Sequence, residues 1–267
     1  SDVCSSDLKE DAFYTNLEFG TAGMRGLIGA GTNRINIYVV RQATEGLAQL
    51  IDSKGEEAKK RGVAIAYDSR HFSPEFAFES AQVLAAHGIK SYVFESLRPT
   101  PELSFAVRHL HTFAGIMVTA SHNPAPFNGY KVYGEDGGQM PPADADALTD
   151  YIRAIENPFT VQLADLEESK ASGLIEVIGE NVDAEYLKEV KGVNINQDLI
   201  NEYGRDMKIV YTPLHGTGEM LARRALAQAG FDSVQVVEAQ ATADPDFSTV
   251  KSPNPESQAA FALAEEL

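Results

Sequence analysis

Short apolar runs alternate with helix-period segments through the first half of this chain, and that alternation leaves few folds open. Residues 63–67, from Val63 to Tyr67, read as a buried strand, as do 90–95 and 114–120. Between them, Ser73-Pro74-Glu75 supplies an N-cap, a proline in the first turn and an early acid for a helix ending before Gly88. Thr100-Pro101-Glu102 does the same for a helix running through Leu110. Upstream, residues 35–51 place Val40, Ala43, Leu47, Leu50 and Ile51 on one helical face that runs out before Gly55. The fold class is therefore α/β: a mixed, largely parallel sheet flanked by helices. Such sheets bind ligands beyond the C-terminal ends of their strands. Asp68-Ser69-Arg70, Arg98-Pro99-Thr100 and Ser121-His122-Asn123 all fall there.

Past a break at Pro141-Pro142, residues 144–156 look helical and the acidic stretch to Lys170 reads as connecting structure. A second unit follows. Residues 208–212 form a strand, His215-Gly-Thr-Gly218 a turn, 219–229 a helix closed by Gly230, and 233–238 a further strand. The last residues, from Ala264 to Leu267, look like the middle of a helix.

With 267 residues, the chain buries roughly 70% of what it exposes when unfolded, so no disulfide or metal staple is needed for a core. The 39 acidic residues outnumber the 22 lysines and arginines, for a formal charge of −17. That field repels nucleic acid and anionic membrane surfaces, so neither is an expected partner. An anionic substrate must instead be met by a few local cations. The single cysteine, Cys4, permits no internal disulfide and no zinc set, and no apolar run approaches the roughly 18 residues of a membrane span. A cytoplasmic location is expected.

Thr119-Ala-Ser-His-Asn-Pro124, followed by Asn128-Gly-Tyr-Lys131, is the most informative segment. A serine at the exit of a buried strand is held where a ligand can reach it, but its hydroxyl needs a nearby base or cation. Lys131 can supply one if the chain turns back at Asn128-Gly129. Ser121 and Asn123 also suit a plain tight turn, and spacing alone favours that reading. Phe19-Gly-Thr-Ala-Gly-Met-Arg-Gly26 could approach an anion through its glycines and fork it with Arg25, although a plain turn fits equally. Arg70 is expected in a surface ion pair and His215 in a structural turn. His71, His87, His109 and His111 show no ligand spacing.

Taken together and in this order, these strings resemble the α-D-phosphohexomutase family. Thr119 to Pro124 is similar to its phosphoserine loop, Gly20 to Gly26 to its N-terminal glycine-rich segment, and Asn128 to Lys131 to its lysine-bearing strand. Leu17 to Gly26, Tyr130-Lys-Val-Tyr133 and Tyr211-Thr-Pro-Leu-His-Gly-Thr-Gly218 look closest to its bacterial phosphoglucomutase branch. The resemblance implies a phosphohexomutase-like domain I over residues 9–182 and an incomplete domain II over 183–267, with residues 1–8 unmatched. It also implies that Ser121 carries a phosphoryl group interconverting glucose 1-phosphate and glucose 6-phosphate through glucose 1,6-bisphosphate. Lys131 would be the general acid/base, Arg25 a phosphate fork and His122 a hydrogen-bonding group for sugar or phosphate. Mg²⁺ would sit on the seryl phosphate oxygen of Ser121.

The family's Asp-x-Asp-x-Asp-Arg metal loop has no counterpart here. Asp144-Ala-Asp146 and Asp244-Pro-Asp246 lack the third Asp and the Arg, and read as solvated carboxylates. The remaining Mg²⁺ ligands are expected beyond residue 267, on further C-terminal domains of the same protein, and the chain by itself is expected to be inactive. Phosphomannomutase, phosphopentomutase and a non-catalytic phosphosugar-binding module are the alternatives. A serine hydrolase using Ser121 and the adjacent His122 lacks both triad placement and a nucleophile elbow.

Overall fold

The computed structural model describes residues 3–20 and 23–267; Ser1 and Asp2 at the N-terminus, the side chains of residues 3–6 with Cys4 among them, and Thr21 and Ala22 of the glycine-rich segment lie outside what it describes. In chain order the elements are α1 (Val3–Phe13), β1 (Met24–Leu27), α2 (Ile37–Lys54), α3 (Glu56–Arg61), β2 (Val63–Tyr67), α4 (Ser73–Ala86), β3 (Ser91–Phe94), α5 (Thr100–His109), β4 (Ala114–Val118) and β5 (Phe127–Tyr133). They continue with α6 (Pro142–Ala154), α7 (Leu166–Ala171), β6 (Ile175–Ile178), α8 (Glu180–Gly192), α9 (Gln197–Tyr203), β7 (Ile209–Tyr211), α10 (Gly218–Ala229), β8 (Val234–Val236) and α11 (Ala262–Glu265).

Six strands form one sheet in the order β1-β5-β4-β2-β3-β6, and β7 pairs with β8 in a second, parallel sheet of two. β4, β2, β3 and β6 run parallel, whereas β5 and β1 close one edge antiparallel. The expected mixed, largely parallel architecture holds. β2 and β4 are buried along their whole length because helices cover both faces. On one face α2, α4 and α6 pack over Val63, Ile65, Ile116 and Val118; on the other α5 and α8 cover Ala64, Ala66 and Met117.

Helix α2 follows the pattern closely, burying Val40, Ala43, Leu47, Leu50 and Ile51 and stopping at Gly55, whose φ of 89° breaks the helix. Asn36 starts it by accepting hydrogen bonds from the N–H groups of Tyr38 and Val39, both at 3.1 Å. Three local expectations are corrected. Neither Ser73 nor Thr100 caps a helix with its side chain; Phe72 and Pro99 hold the cap positions, and the Ser73 hydroxyl instead donates to Asp68 at 2.8 Å. Asn128-Gly129 is not a turn but lies inside β5, and the chain reverses at residues 121–126. The glycine serves close approach, since a Cβ there would lie 2.6 Å from the Thr119 carbonyl oxygen and 2.8 Å from that of Met24. The stretch before residue 180 is also more ordered than a connection, with α7 capped by Asp165 and then β6. β6 escaped notice because it is an edge strand of four residues with only Ile175 and Ile178 buried, which gives neither alternation nor an apolar run.

Arg98 ties the sheet to α8 by a bidentate pair with Asp183 at 2.7 and 2.8 Å. Burial and the adjacent Asp183 carboxylate push the neighbouring Glu102 up to about 9, so it is protonated at neutral pH.

On the opposite side His87 bridges α4 to α2, 3.0 Å from Glu45 and 2.6 Å from Asp52. Hydrogen bonding to Glu45 foremost, with Asp52 assisting, pushes its imidazole up to about 9 against the effect of burial. A folded pKa above the unfolded value near 6.5 means that this stabilisation is complete below about pH 6.5 and is lost as pH rises through about 9. The site is partly wet, so the expected contribution is on the order of 1–2 kcal/mol. Thermal melts of the wild type and His87→Gln check it: the wild type's advantage at pH 6 disappears by pH 10. A difference constant with pH would show that packing, not charge, carries it.

Candidate active site

Ser121 stands at the C-terminal exit of β4, exposed, with φ +59°. That left-handed conformation is disfavoured for any side chain but glycine, so the surroundings must impose it. They do so through its two backbone polar groups. Its N–H donates to the Thr119 hydroxyl at 2.8 Å, which donates to Asp68 at 2.5 Å; its carbonyl accepts from Arg70 at 2.8 Å. Asn123 closes the turn, its side chain donating to the Ala120 carbonyl at 2.7 Å. The Ser121 hydroxyl takes no part in that closure among the described residues, so the plain-turn reading fits Asn123 and leaves the serine free.

Lys131 and Arg25 reach the same region through sheet register. Lys131 pairs across the ladder with Met117, and Arg25 pairs with Gly129, two residues before Lys131. Side chains alternate along a strand, and paired residues share a face, so Arg25, Lys131 and Met117 lie on one side of the sheet. Met117, Thr119, Ser121 and His122 line a cleft of 420 Å³ there, within the roughly 300–1,000 Å³ of small-molecule sites. Ser69 and Thr100 on the first unit and Tyr211, Thr217 and Phe247 on the second complete the walls.

Neither the Arg25 nor the Lys131 side chain makes an ion pair or hydrogen bond among the described residues, so both are open to an anion. Burial, and next the Arg25 guanidinium, draw the Lys131 amine below its ordinary value, while Asp68 pulls the other way. His122 is exposed, and its carbonyl accepts from Ser252 at 3.2 Å. Of the four site residues expected from the sequence, Ser121 and His122 line the cleft, and Arg25 and Lys131 lie on the Met117 side of the sheet without lining it.

Two other expectations are revised or refined. Arg70 is not a surface ion pair: it is 1% exposed, 3.2 Å from Asp68, and its terminal nitrogens donate to the carbonyls of Ser121, Asn123, Pro124 and Phe127 at 2.6–3.0 Å. The Asp-x-Arg spacing at a strand exit was the available signal, but nothing local says that the guanidinium turns inward. His215 holds its turn as expected, with φ +61° and ring nitrogens 2.9 Å from the Thr242 carbonyl and 2.8 Å from the Thr249 hydroxyl. The acidic pairs are not all idle. Asp246 contacts His71 at 2.8 Å, and Asp244 accepts from the N–H groups of Asp246 and Ser248.

The donor set offers Mg²⁺ little. No cluster of three or more His, Cys, Asp or Glu residues suited to a metal exists among the described residues. Asp68, linked to Ser121 through the Thr119 hydroxyl, is already engaged by Arg70, Thr119 and Ser73. These residues do not by themselves fit a divalent cation. Among the described residues, no helix is long and apolar enough to cross a membrane.

The geometry defines an α/β protein that presents a serine hydroxyl and, among the described residues, two unpaired cations at the C-terminal edge of its sheet. Comparison with known proteins supplies the family. Residues 16–159 match the phosphoglucomutase/phosphomannomutase α/β/α domain I profile, and residues 184–267 match that of domain II. The chain belongs to the phosphoglucomutase/phosphomannomutase family. A Staphylococcus haemolyticus phosphoglucomutase is 40% identical over 263 residues, covering 98% of this chain and 46% of that protein. A Staphylococcus saprophyticus phosphoglucomutase is 39% identical over 251 residues, covering 94% and 44%. The chain thus spans about half the length of the relatives it matches. Among solved structures, a Thermus thermophilus protein described as a phosphomannomutase superposes with TM-score 0.77 at 23% identity, covering 94% of this chain and 51% of that one. The Paramecium phosphoglucomutase parafusin, in an open form, gives 0.69 at 18%, covering 95% and 48%. At those identities the likeness concerns the fold.

Proposed function

We propose that Ser121 is the phosphoryl carrier of a phosphoglucomutase acting on glucose 1-phosphate and glucose 6-phosphate. The observation that carries this reading is an exposed serine hydroxyl on the same side of the sheet as two cations that pair with nothing else among the described residues. Phosphoryl transfer needs in-line positioning and neutralised oxygens more than elaborate covalent chemistry, and Arg25 supplies a fork matched to phosphate. In the forward half-reaction a sugar hydroxyl oxygen bonds to the phosphorus of phospho-Ser121 and its proton passes to the Lys131 amine. The bond from phosphorus to Ser121 Oγ breaks, and Oγ takes a proton back from Lys131. The reverse half-reaction draws the other phosphate of the bisphosphate onto Oγ, leaving the isomeric monophosphate. His122 hydrogen-bonds the sugar or its phosphate.

Mg²⁺ on the seryl phosphate, a cytoplasmic location and contributions from further domains of the same protein belong to this proposal, and no step above is routed through the metal. Without a cluster of metal-ligating side chains among the described residues, the 267-residue chain is expected to interconvert hexose phosphates slowly or not at all. A coupled glucose 1-phosphate assay on this chain checks this, and a rate equal to that of the relatives would overturn it. The carrier role itself is tested by incubating the chain with glucose 1,6-bisphosphate and MgCl₂ and mapping phosphate by mass spectrometry. An adduct at Ser121 is expected; its absence favours a phosphosugar-binding module.

Lys131→Met, which removes the proton acceptor and a cation, is expected to slow that uptake by about 10²–10⁴-fold. Lys131→Arg keeps the charge but not a titratable amine and is expected to recover little. Because burial and Arg25 lower the Lys131 amine, the wild-type rate rises with pH and levels off below the ordinary lysine value near 10.4. A rate flat in pH, with Lys131→Arg fully active, would remove the acid/base assignment and leave a charge role.

A further inference from the structure

The geometry points to the buried Asp68–Arg70 pair, acting through Thr119, as the positioning device that holds Ser121 in its left-handed conformation; this deepens the reading of Ser121 as phosphoryl carrier and rests on it. The two ends of one ion pair grip the two backbone polar groups of one residue. From the carboxylate end, Asp68 accepts from the Thr119 hydroxyl at 2.5 Å, whose oxygen accepts from the Ser121 N–H at 2.8 Å. From the guanidinium end, Arg70 donates to the Ser121 carbonyl at 2.8 Å. The same guanidinium gathers the carbonyls of Asn123, Pro124 and Phe127, so it also fixes the reversal into β5 that carries Lys131. The backbone of Arg70 donates to Asp68 at 3.0 Å, which orients the carboxylate.

Arginine is the side chain this task requires. Its fixed fork reaches four carbonyls at once, which a lysine ammonium with three donors cannot do. Its open face is covered by the Phe247 ring of the second unit, 5.0 Å from the guanidinium carbon, so water has little access to compete for those carbonyls. None of these groups touches the cleft chemistry directly except by lining it. Arg70 is a positioning residue, with its effect exerted on where the Ser121 oxygen points.

The test compares Thr119→Val, Thr119→Ser, Arg70→Lys and wild type in two ways. Amide hydrogen exchange is followed at Ser121 and at Ile116 in the adjacent strand, and phosphoryl uptake from glucose 1,6-bisphosphate with MgCl₂ is timed at Ser121. Thr119→Val removes one hydroxyl from a chain that keeps its packing, and is expected to raise Ser121 exchange about tenfold and slow uptake at least as much, with Ile116 unchanged. Thr119→Ser restores both. Arg70→Lys shows the same split, and if it fails to fold, the Thr119 variants decide. Uptake and Ser121 exchange that Thr119→Val leaves at wild-type values overturn the inference while the carrier reading survives. A wild type that takes up no phosphate, yet whose Ser121 exchange responds to Thr119→Val, overturns the carrier reading while the grip on Ser121 stands. Parallel loss of protection at Ile116 in Thr119→Val would show a general stability role and overturn the inference.

Discussion

Ser121→Ala leaves the fold intact and eliminates phosphoryl uptake from glucose 1,6-bisphosphate, the largest functional effect expected in this chain. The oxygen that would bond to phosphorus is removed outright, and no neighbour replaces it: Thr119 is committed to Asp68, and Ser69 belongs to a different strand exit. Stability changes little, because the Ser121 hydroxyl makes none of the hydrogen bonds that close its turn and the side chain is exposed. The measurement is intact mass before and after incubation, with melting temperature as the folding control. An adduct of wild-type stoichiometry in Ser121→Ala would move the acceptor elsewhere. A Ser121→Cys variant keeps size but weakens the hydrogen-bonding character, and its slow uptake would separate loss of the atom from loss of the loop.

Gly129→Ala is expected to cost the site's sheet a large loss of stability for one added atom. Alanine would ordinarily gain in a strand, where glycine costs roughly 0.5–1 kcal/mol in backbone freedom. Here sterics win, because the new Cβ would lie 2.6 Å from the Thr119 carbonyl oxygen and 2.8 Å from that of Met24, both main-chain atoms of flanking strands that cannot rotate away. Either β1 or β4 must move out, at an overpacking cost of about 1–3 kcal/mol or more. For a domain of this size that is about 2–4 °C of melting temperature per kcal/mol. The displaced strands carry Arg25 and the exit to Ser121, so uptake falls with stability. Gly129→Ala melting with the wild type would mean that the ladder absorbs the methyl, and the argument for a tight lane between the strands would fail.

How far each part could be read in advance follows from the range of the forces involved. Helix α2 was legible because Val40, Ala43, Leu47, Leu50 and Ile51, all buried, repeat at helical spacing and a glycine stops them. β2 was legible because five consecutive small and apolar residues have no other stable use beside capped helices. β6 and the true place of Asn128-Gly129 were not. An edge strand with two buried residues leaves no period, and a glycine needed for strand approach looks in sequence like one needed for a turn. At the site, Ser121 and His122 stood out by their place after a buried strand and Arg25 and Lys131 by their family-like strings, whereas Arg70 was misjudged. Its partners are four carbonyls 51 to 57 residues away, and a charge that turns inward is identical in sequence to one that turns outward.

The amino-acid sequence by itself determined the alternation of strands and helices, the family to which the chain belongs and the residue types near the strand exits, since these depend on local periodicity and short strings. Only the tertiary structure decided that Arg25 and Lys131 share one side of the sheet with Ser121, and that a buried ion pair fixes the serine's backbone. Both depend on ladder register and on burial, which arise when segments far apart in the chain are brought together and lose water at the same time.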